Sequence, residues 1–207
     1  MKLNKKKILI VSLIVLEIGL LSVLGFKIYQ DLFKKDKEQV KKENLDTLKL
    51  YGYTLDDKDT DTYKKYFKEL KIILSREEQK EEEYAKVLTQ LFVTDFFTLS
   101  NKLASTDIGS LEFIHPSIVD NFKLNAGDTI YHSVKSNLYD DRIQELPTVK
   151  NVLITDLKKG KYEYNKKTYD SYIITSSWEY DKDLGYQTSG TFTLIKDNNK
   201  LNIVEFK

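Results

Sequence analysis

The spacing of apolar residues changes near Thr148 of this 207-residue chain. Before that residue, apolar side chains recur every three or four positions, which is the period of a helix with one buried face. After it, they alternate with polar side chains, which is the period of a strand in a half-buried sheet. Helices followed by a run of strands indicate an α+β fold in which the helices pack on a curved antiparallel sheet.

Three helices are predicted before this change. The first follows Asp59 or Thr60, whose side-chain oxygens can accept hydrogen bonds from the free amides of a first turn. The second covers 76–104, and its first turns are rich in glutamate, which the helix dipole favours at that end. The third covers 128–139. The residues expected to face inward are Tyr63, Phe67, Leu70 and Leu74 in the first helix and Ile130, Val134 and Leu138 in the third.

Five strands are predicted after the change. Turn-forming residues divide this part of the chain around Gly160, Gly185 and Asn199. Successive strands joined by such short turns are expected to pair antiparallel. The predicted strands are 149–157, 161–165, 168–180, 186–196 and 200–206.

The N-terminal segment predicts a membrane anchor. Residues 8–26 are apolar over 19 positions except for one charge, Glu17. A helix of this length spans about 28 Å, which is close to the hydrocarbon thickness of a bilayer. We therefore expect a cytoplasmic basic tail over 1–7 and an uncleaved transmembrane anchor over 8–28. A cleavable signal peptide is the alternative, although its apolar region is usually shorter.

With the anchor, the segments that follow predict a single-pass protein of the cell membrane. A helical stalk is expected over 29–49, because this segment is highly charged and contains neither glycine nor proline. The short basic tail favours an N-terminus inside the cell, so the body of the chain is expected to be extracytoplasmic. Glu17 lies near mid-membrane, where a carboxylate is costly. It is expected either to face a membrane partner or to be tolerated there in protonated form.

Charge and composition exclude several function classes. Residues 1–49 carry 11 basic and 6 acidic side chains, whereas residues 50–207 carry 22 basic and 26 acidic side chains. A slightly acidic body disfavours nucleic acid, which requires clustered lysine and arginine. The chain has no cysteine and two histidines, and its acidic residues match no metal-ligand spacing. We therefore expect no nucleic acid, metal or cofactor.

Three stretches resemble one known fold family. They are the long second helix, the segment STDIGSLEFIHPSIV at 105–119 and the closing hairpin TFTLIKDNNKLNIVEF at 191–206. Together they resemble the nuclear-transport-factor-2-like superfamily, also called SnoaL-like or cystatin-like. The resemblance covers about residues 77–207 and implies a cone-like α+β domain there. The strand and helix extension expected over 50–76 precedes it, from the alternation of Tyr51, Tyr53 and Leu55 and the helix after Thr60. With the anchor, the layout is similar to single-pass extracytoplasmic subunits of type IV secretion and conjugation machines.

The resemblance also implies where chemistry would lie, because some members of that family hold general acids and bases inside the cone. Asp95, in the apolar stripe of the second helix, and His115, before a proline, are the candidates here. A carboxylate buried among apolar side chains would have a raised pKa that suits proton transfer. The alternative is structural, with Asp95 hydrogen-bonded to a loop or a tyrosine hydroxyl and His115 capping a turn.

Aromatic residues on the strands predict a recognition surface. Tyr162, Tyr164 and Tyr186 lie near turns and are expected to be exposed, and Trp178 is a further candidate. The function predicted from the sequence is therefore a membrane-anchored interaction or scaffold protein of an envelope assembly, such as a conjugation or secretion machine. It would bind other proteins of that assembly or its own copies. The alternative is a cone that binds a small ligand, or an acid–base enzyme, with Asp95 in its pocket.

Overall fold

The computed structural model describes residues 48–78, 80–164 and 166–207. The helices come first: α1 (Asp61–Leu74), α2 (Glu81–Phe96), a 3-10 turn (Leu111–Phe113) and α3 (Val119–Asp128). The strands follow: β1 (Val149–Tyr164), β2 (Lys167–Tyr180), β3 (Ser189–Asp197) and β4 (Lys200–Phe206). The strands form an antiparallel sheet in the order β1-β2-β3-β4. The predicted α+β class is confirmed.

The predicted basic tail over 1–7, the anchor over 8–28 with Glu17, and nearly all of the stalk over 29–49 lie outside the described residues. Among the helices that are described, none is long and apolar enough to cross a membrane. Residues 47–207 make one compact unit. The predicted extension over 50–76 is part of this unit, because Tyr51 and Tyr53 are buried in the same core as the later helices and strands.

The start of α1 is as predicted. The Thr60 hydroxyl oxygen accepts a hydrogen bond from the Tyr63 backbone N–H at 3.2 Å, which satisfies one free amide of the first turn. The inward-facing residues of α1 are also as predicted. Those that are buried include Tyr63, Phe67, Leu70 and Leu74.

The second helix is shorter than predicted. It ends at Phe96 rather than near 104, because the backbone that follows bonds to a distant part of the chain. The N–H groups of Leu99 and Ser100 both donate to the Pro147 carbonyl, at 3.0 and 3.2 Å. The Arg142 guanidinium donates to the carbonyl of Ser100. These bonds replace the helical ladder over the last predicted turns.

The helix predicted over 128–139 is wrong, and α3 lies one segment earlier. Its last turn closes at Thr129, whose hydroxyl donates to the Asn125 carbonyl at 2.6 Å. The chain then runs through turns up to β1. Ile130 and Val134 still pack against the core, but Leu138 is exposed.

The two strands predicted at 149–157 and 161–165 are one continuous strand, β1. Gly160 is not a turn but pairs with Ser171 of β2. A Cβ at position 160 would lie 3.3 Å from the Ser171 hydroxyl oxygen, so the glycine allows a close approach of the two strands. The hairpin turns instead between Tyr164 and Lys167, where Lys166 has a φ of +62°.

The helices cover one face of the sheet. A group of aromatic rings fills the space between α2, α3 and the strands, with ring centroids about 4 to 6 Å apart. The interior that a cone-shaped fold could leave open is therefore packed. The rings of this group are Phe92, Phe96, Phe97, Phe122, Tyr131, Trp178, Phe192 and Phe206.

The outer part of the β1–β2 hairpin curls over the other face of the sheet. Ile195 follows the core residue Leu194, so its side chain points away from the helices, yet it is fully buried. The Tyr164 ring lies 6.1 Å from the ring of His115, which is beyond the far edge of β4. Because β1 and β4 are the two edges of the sheet, this contact requires strong curvature of the hairpin.

Candidate functional site

Asp95 lies in a buried ion pair rather than in an open pocket. Its carboxylate pairs with the Lys102 ammonium, and the two side chains are only 16% and 7% exposed. The Ser110 hydroxyl donates to the second carboxylate oxygen at 3.0 Å. Lys102 and Ser110 thus occupy the two carboxylate oxygens of Asp95. The pair instead joins the end of α2 to the loop after it.

The loop around Asp95 is closely fitted. A Cβ at Gly109 would lie 2.7 Å from both the Asp95 carboxylate and the Lys102 ammonium. The Tyr131 hydroxyl donates to the Phe96 carbonyl at 2.7 Å and accepts the Gly109 N–H at 3.2 Å. Burial raises the pKa of Tyr131 well above its ordinary value, so this hydroxyl stays protonated.

His115 holds a turn. Its Nδ1 lies 2.7 Å from the Ser117 hydroxyl and accepts the Ser117 N–H at 3.3 Å. Its backbone N–H donates to the Ile203 carbonyl at 2.9 Å. The other ring nitrogen is buried, and the nearest carboxylate oxygen, from Asp197, is 3.9 Å away. Asp95 and His115 are not brought together with each other in a shared pocket.

The predicted aromatic surface is mostly covered. Trp178 is 3% exposed, its ring lies 4.3 Å from that of Phe97, and its Nε1 donates to the Tyr180 hydroxyl. A recognition role for Trp178 does not fit this position. Tyr162, Tyr164 and Tyr186 are half-buried rather than exposed.

A different surface is exposed, on a loop that we call the apolar loop (residues 133–146). Leu138, Tyr139 and Ile143 are 67%, 87% and 98% exposed. Val134 and Leu146 at the two ends of the loop are buried and fix it to the domain. Exposed apolar side chains on one loop make it a candidate for a contact surface.

Hydrogen bonds hold the apolar loop in one conformation. The Arg142 guanidinium donates to the carbonyls of Ser100, Lys102 and Lys135 at 2.7 to 3.1 Å. The Gln144 side chain accepts the Lys135 N–H and donates to the Ser133 carbonyl, both at 2.9 Å. The exposed side chains are therefore presented on an ordered backbone, which lowers the entropy lost on binding.

The helical spacing of Ile130, Val134 and Leu138 concealed this loop in the sequence. The signal against a helix was the cluster of turn-forming residues from Asn137 to Asp141. In the structure Asp140 takes a φ of +56° and its N–H donates to the Asn137 carbonyl.

The grooves on the surface of the described domain include the following three. One of about 810 Å³ lies between α1, the start of α2 and β1. One of about 620 Å³ lies beside the 3-10 turn and the β3–β4 turn. One of about 360 Å³ lies between α3 and β4. Neither Asp95 nor His115 lines any of these three grooves.

No group of three or more acidic or histidine side chains in the described part of the chain is arranged to hold a metal ion. Comparison with known proteins gives no relative: no family model, no curated protein and no solved structure matches this chain.

Proposed function

We propose that this chain is a membrane-anchored extracytoplasmic protein that acts by binding other proteins, as a scaffold in an envelope assembly of the conjugation or secretion type. The observation that carries the proposal is the apolar loop, which exposes Leu138, Tyr139 and Ile143 on a backbone fixed by hydrogen bonds. An exposed tyrosine such as Tyr139 is a residue type that is enriched at the centre of protein interfaces.

The filled interior supports binding at the surface rather than inside the fold. A ligand-binding or acid–base cone would need an open cavity that reaches Asp95. Here the aromatic group fills the space beside α2, and Lys102 and Ser110 occupy the Asp95 carboxylate.

The order of the elements supports membership of the nuclear-transport-factor-2-like superfamily. Helices precede an antiparallel meander, and residue 114 forms a parallel bridge with Ile203 at the edge of β4. The rest of the layout is proposed from the sequence: a tail over 1–7, an anchor over 8–28 and a stalk over 29–49.

Crosslinking in native membranes tests the binding role. A photoreactive amino acid at Tyr139 is expected to crosslink to one or a few defined proteins of the envelope, or to a second copy of the chain. The matched control is the same probe at Leu124, which is also exposed but lies on α3 outside the apolar loop. Equal crosslinking from both positions, or none from Tyr139, would contradict the proposed surface.

Topology has a separate test. A reporter enzyme that is active only outside the cytoplasm, fused after Lys207, is expected to be active. An inactive fusion at normal expression would place the body of the chain inside the cell.

A further inference from the structure

The groove of about 620 Å³ has a polar rim and an apolar floor. It lies between the start of the described chain, the 3-10 turn and the β3–β4 turn. We call it the Glu112–Lys200 groove after two charged residues that line it. Its apolar lining includes Leu111, Ile114 and Val119. Its volume is within the range of small-molecule sites, about 300 to 1,000 Å³.

Glu112 and Lys200 are half-buried in this groove, and neither forms an ion pair with another described residue. The Glu112 carboxylate accepts a long hydrogen bond from the Thr54 hydroxyl at 3.4 Å, and the backbone N–H groups of Glu112 and Thr54 and the Tyr63 hydroxyl also donate to it. The Lys200 ammonium lies over the Tyr53 ring, 4.7 Å from its centroid. By contrast, Asp197, which also lines the groove, is 3.7 Å from the Lys167 ammonium.

Electrostatics shows that both charges lack full compensation. Burial raises the pKa of Glu112 above its ordinary value, and burial lowers the pKa of Lys200 below its own. In each case burial has removed water from the charged form, and the hydrogen bonds to Glu112 and the attraction between Glu112 and Lys200 offset that loss only in part. A cleft that holds two opposite charges in this condition is suited to a ligand that carries both.

We propose that the Glu112–Lys200 groove binds a small zwitterion, with the ligand ammonium against Glu112 and the ligand anion against Lys200. The apolar floor receives the uncharged part of the ligand. The chemistry fits a free amino acid with an apolar side chain, and it also fits a zwitterionic lipid headgroup. This proposal is independent of the scaffold role, because the groove does not include the apolar loop.

The first test uses the full-length chain in detergent and isothermal titration with four probes. L-Leucine carries both charges, N-acetyl-leucine only the anion and leucine methyl ester only the cation, while phosphoethanolamine represents the headgroup. At least one zwitterion is expected to bind about tenfold more tightly than the single-charge analogues, because each analogue leaves one groove charge unpaired. Preference for leucine assigns the site to amino acids, and preference for phosphoethanolamine assigns it to a headgroup.

The second test exchanges each groove charge for its neutral isostere or near-isostere. Glu112→Gln is expected to remove the discrimination against the anionic analogue, and Lys200→Gln the discrimination against the cationic one. The matched controls are Glu163→Gln and Lys123→Gln, which change exposed residues outside the groove and are expected to leave affinity unchanged. Tryptophan fluorescence of each variant reports whether the domain is folded.

Two results would overturn the proposal. One is the absence of binding by both zwitterions in the millimolar range. The other is binding that is equal for zwitterions and single-charge analogues, or that is unaltered in folded Glu112→Gln and Lys200→Gln variants.

Discussion

The buried pair of Asp95 and Lys102 stabilises the domain only while both charges are present. Removing Lys102 would leave an uncompensated carboxylate beside the core, which typically costs about 3 kcal/mol or more. We expect Lys102→Met to lower the free energy of unfolding by that amount. Restoring neutrality with Asp95→Asn in the same chain should recover much of the loss. Trp178 is the only tryptophan and is buried, so its fluorescence during urea unfolding reports on this domain.

The control for that prediction is the exposed pair of Lys182 and Glu145, whose side chains are more than half exposed. Lys182→Met should change the free energy of unfolding by less than about 1 kcal/mol, because water already screens this pair. Equal effects of Lys102→Met and Lys182→Met would show that Asp95 does not depend on Lys102.

Gly109 and Gly127 allow a matched test of how closely neighbouring side chains approach a glycine. Gly109→Ala would place a methyl group against the Asp95 and Lys102 side chains, and overpacking of this kind costs about 1 to 3 kcal/mol. Gly127 lies in α3, and a Cβ there would meet nothing within 4 Å. Gly127→Ala is therefore expected to stabilise the domain by about 0.5 to 1 kcal/mol. Urea unfolding should show a lower free energy of unfolding for Gly109→Ala and a higher one for Gly127→Ala. Destabilisation of similar size by both would contradict the close contact of Gly109 with Asp95 and Lys102.

Asp95 also marks the limit of what single residues in the sequence could reveal. Its position in an apolar stripe identified it as unusual, and that was sufficient to predict a specific local role. Its partner could not be predicted, because Lys102 is seven residues away and lies beyond the true end of α2. The ion pair depends on where the helix ends, and that is set by bonds to Pro147 and Arg142.

At the scale of elements, the start of α2 is tied to the sheet through Glu81. Its carboxylate pairs with Lys196 of β3 and accepts a hydrogen bond from the Tyr172 hydroxyl of β2. These two contacts, with Lys196 the stronger, hold the pKa of Glu81 below its ordinary value of 4.5. The cluster of glutamates that the sequence placed at a helix start therefore also connects that helix to two strands.

The lowered pKa of Glu81 predicts a pH dependence with a definite sign. The stabilising contribution is present above the ordinary pKa of glutamate, and it is lost as the pH falls through the lower pKa of the folded state. Below about pH 4.5 the wild-type domain should therefore lose this part of its stability, and Glu81→Gln should lose less. Urea unfolding from pH 7 to pH 3 measures the two slopes, and equal slopes would contradict the role of Glu81.

The alternation of apolar and polar residues predicted the strands, but the turn-forming residues did not correctly predict where the first strand ends. Alternation correctly placed β2 to β4 within a few residues. The sequence predicts a turn at Gly160 because glycine is a turn-forming residue, whereas in the structure Gly160 allows the close approach to Ser171. The choice between the two depends on the opposite strand, which local sequence does not specify.

At the scale of the whole molecule, the two proposed binding surfaces have different physical origins. The Glu112–Lys200 groove holds two opposite, half-buried charges in its lining. The apolar loop exposes uncharged side chains on a backbone held by Arg142 and Gln144. The helical spacing of apolar residues favours burial of Leu138. Its exposure goes with the tertiary hydrogen bonds of Arg142, which the sequence pattern does not specify.

Arg142 provides the last prediction, because it orders the apolar loop without contributing an exposed apolar side chain. Arg142→Ala removes three charge-assisted bonds to backbone carbonyls and should free the loop. Crosslinking from the probe at position 139 should then fall severalfold, although Leu138 and Ile143 are unchanged, because binding must now order the loop. With the probe kept at position 139, replacing Leu138 and Ile143 by serine should strongly reduce crosslinking and leave the free energy of unfolding nearly unaltered, since both are exposed in the folded domain.

The matched control is Arg76→Ala, which removes the other arginine of the chain, an exposed partner of Glu83 outside the loop. The Arg76→Ala variant should crosslink from the probe at position 139 as strongly as the chain without that substitution. A folded Arg142→Ala variant that also crosslinks at the wild-type level would show that order in the loop is not needed. In that case the exposed side chains alone would account for binding, and the hydrogen bonds around Arg142 would serve only the stability of the domain.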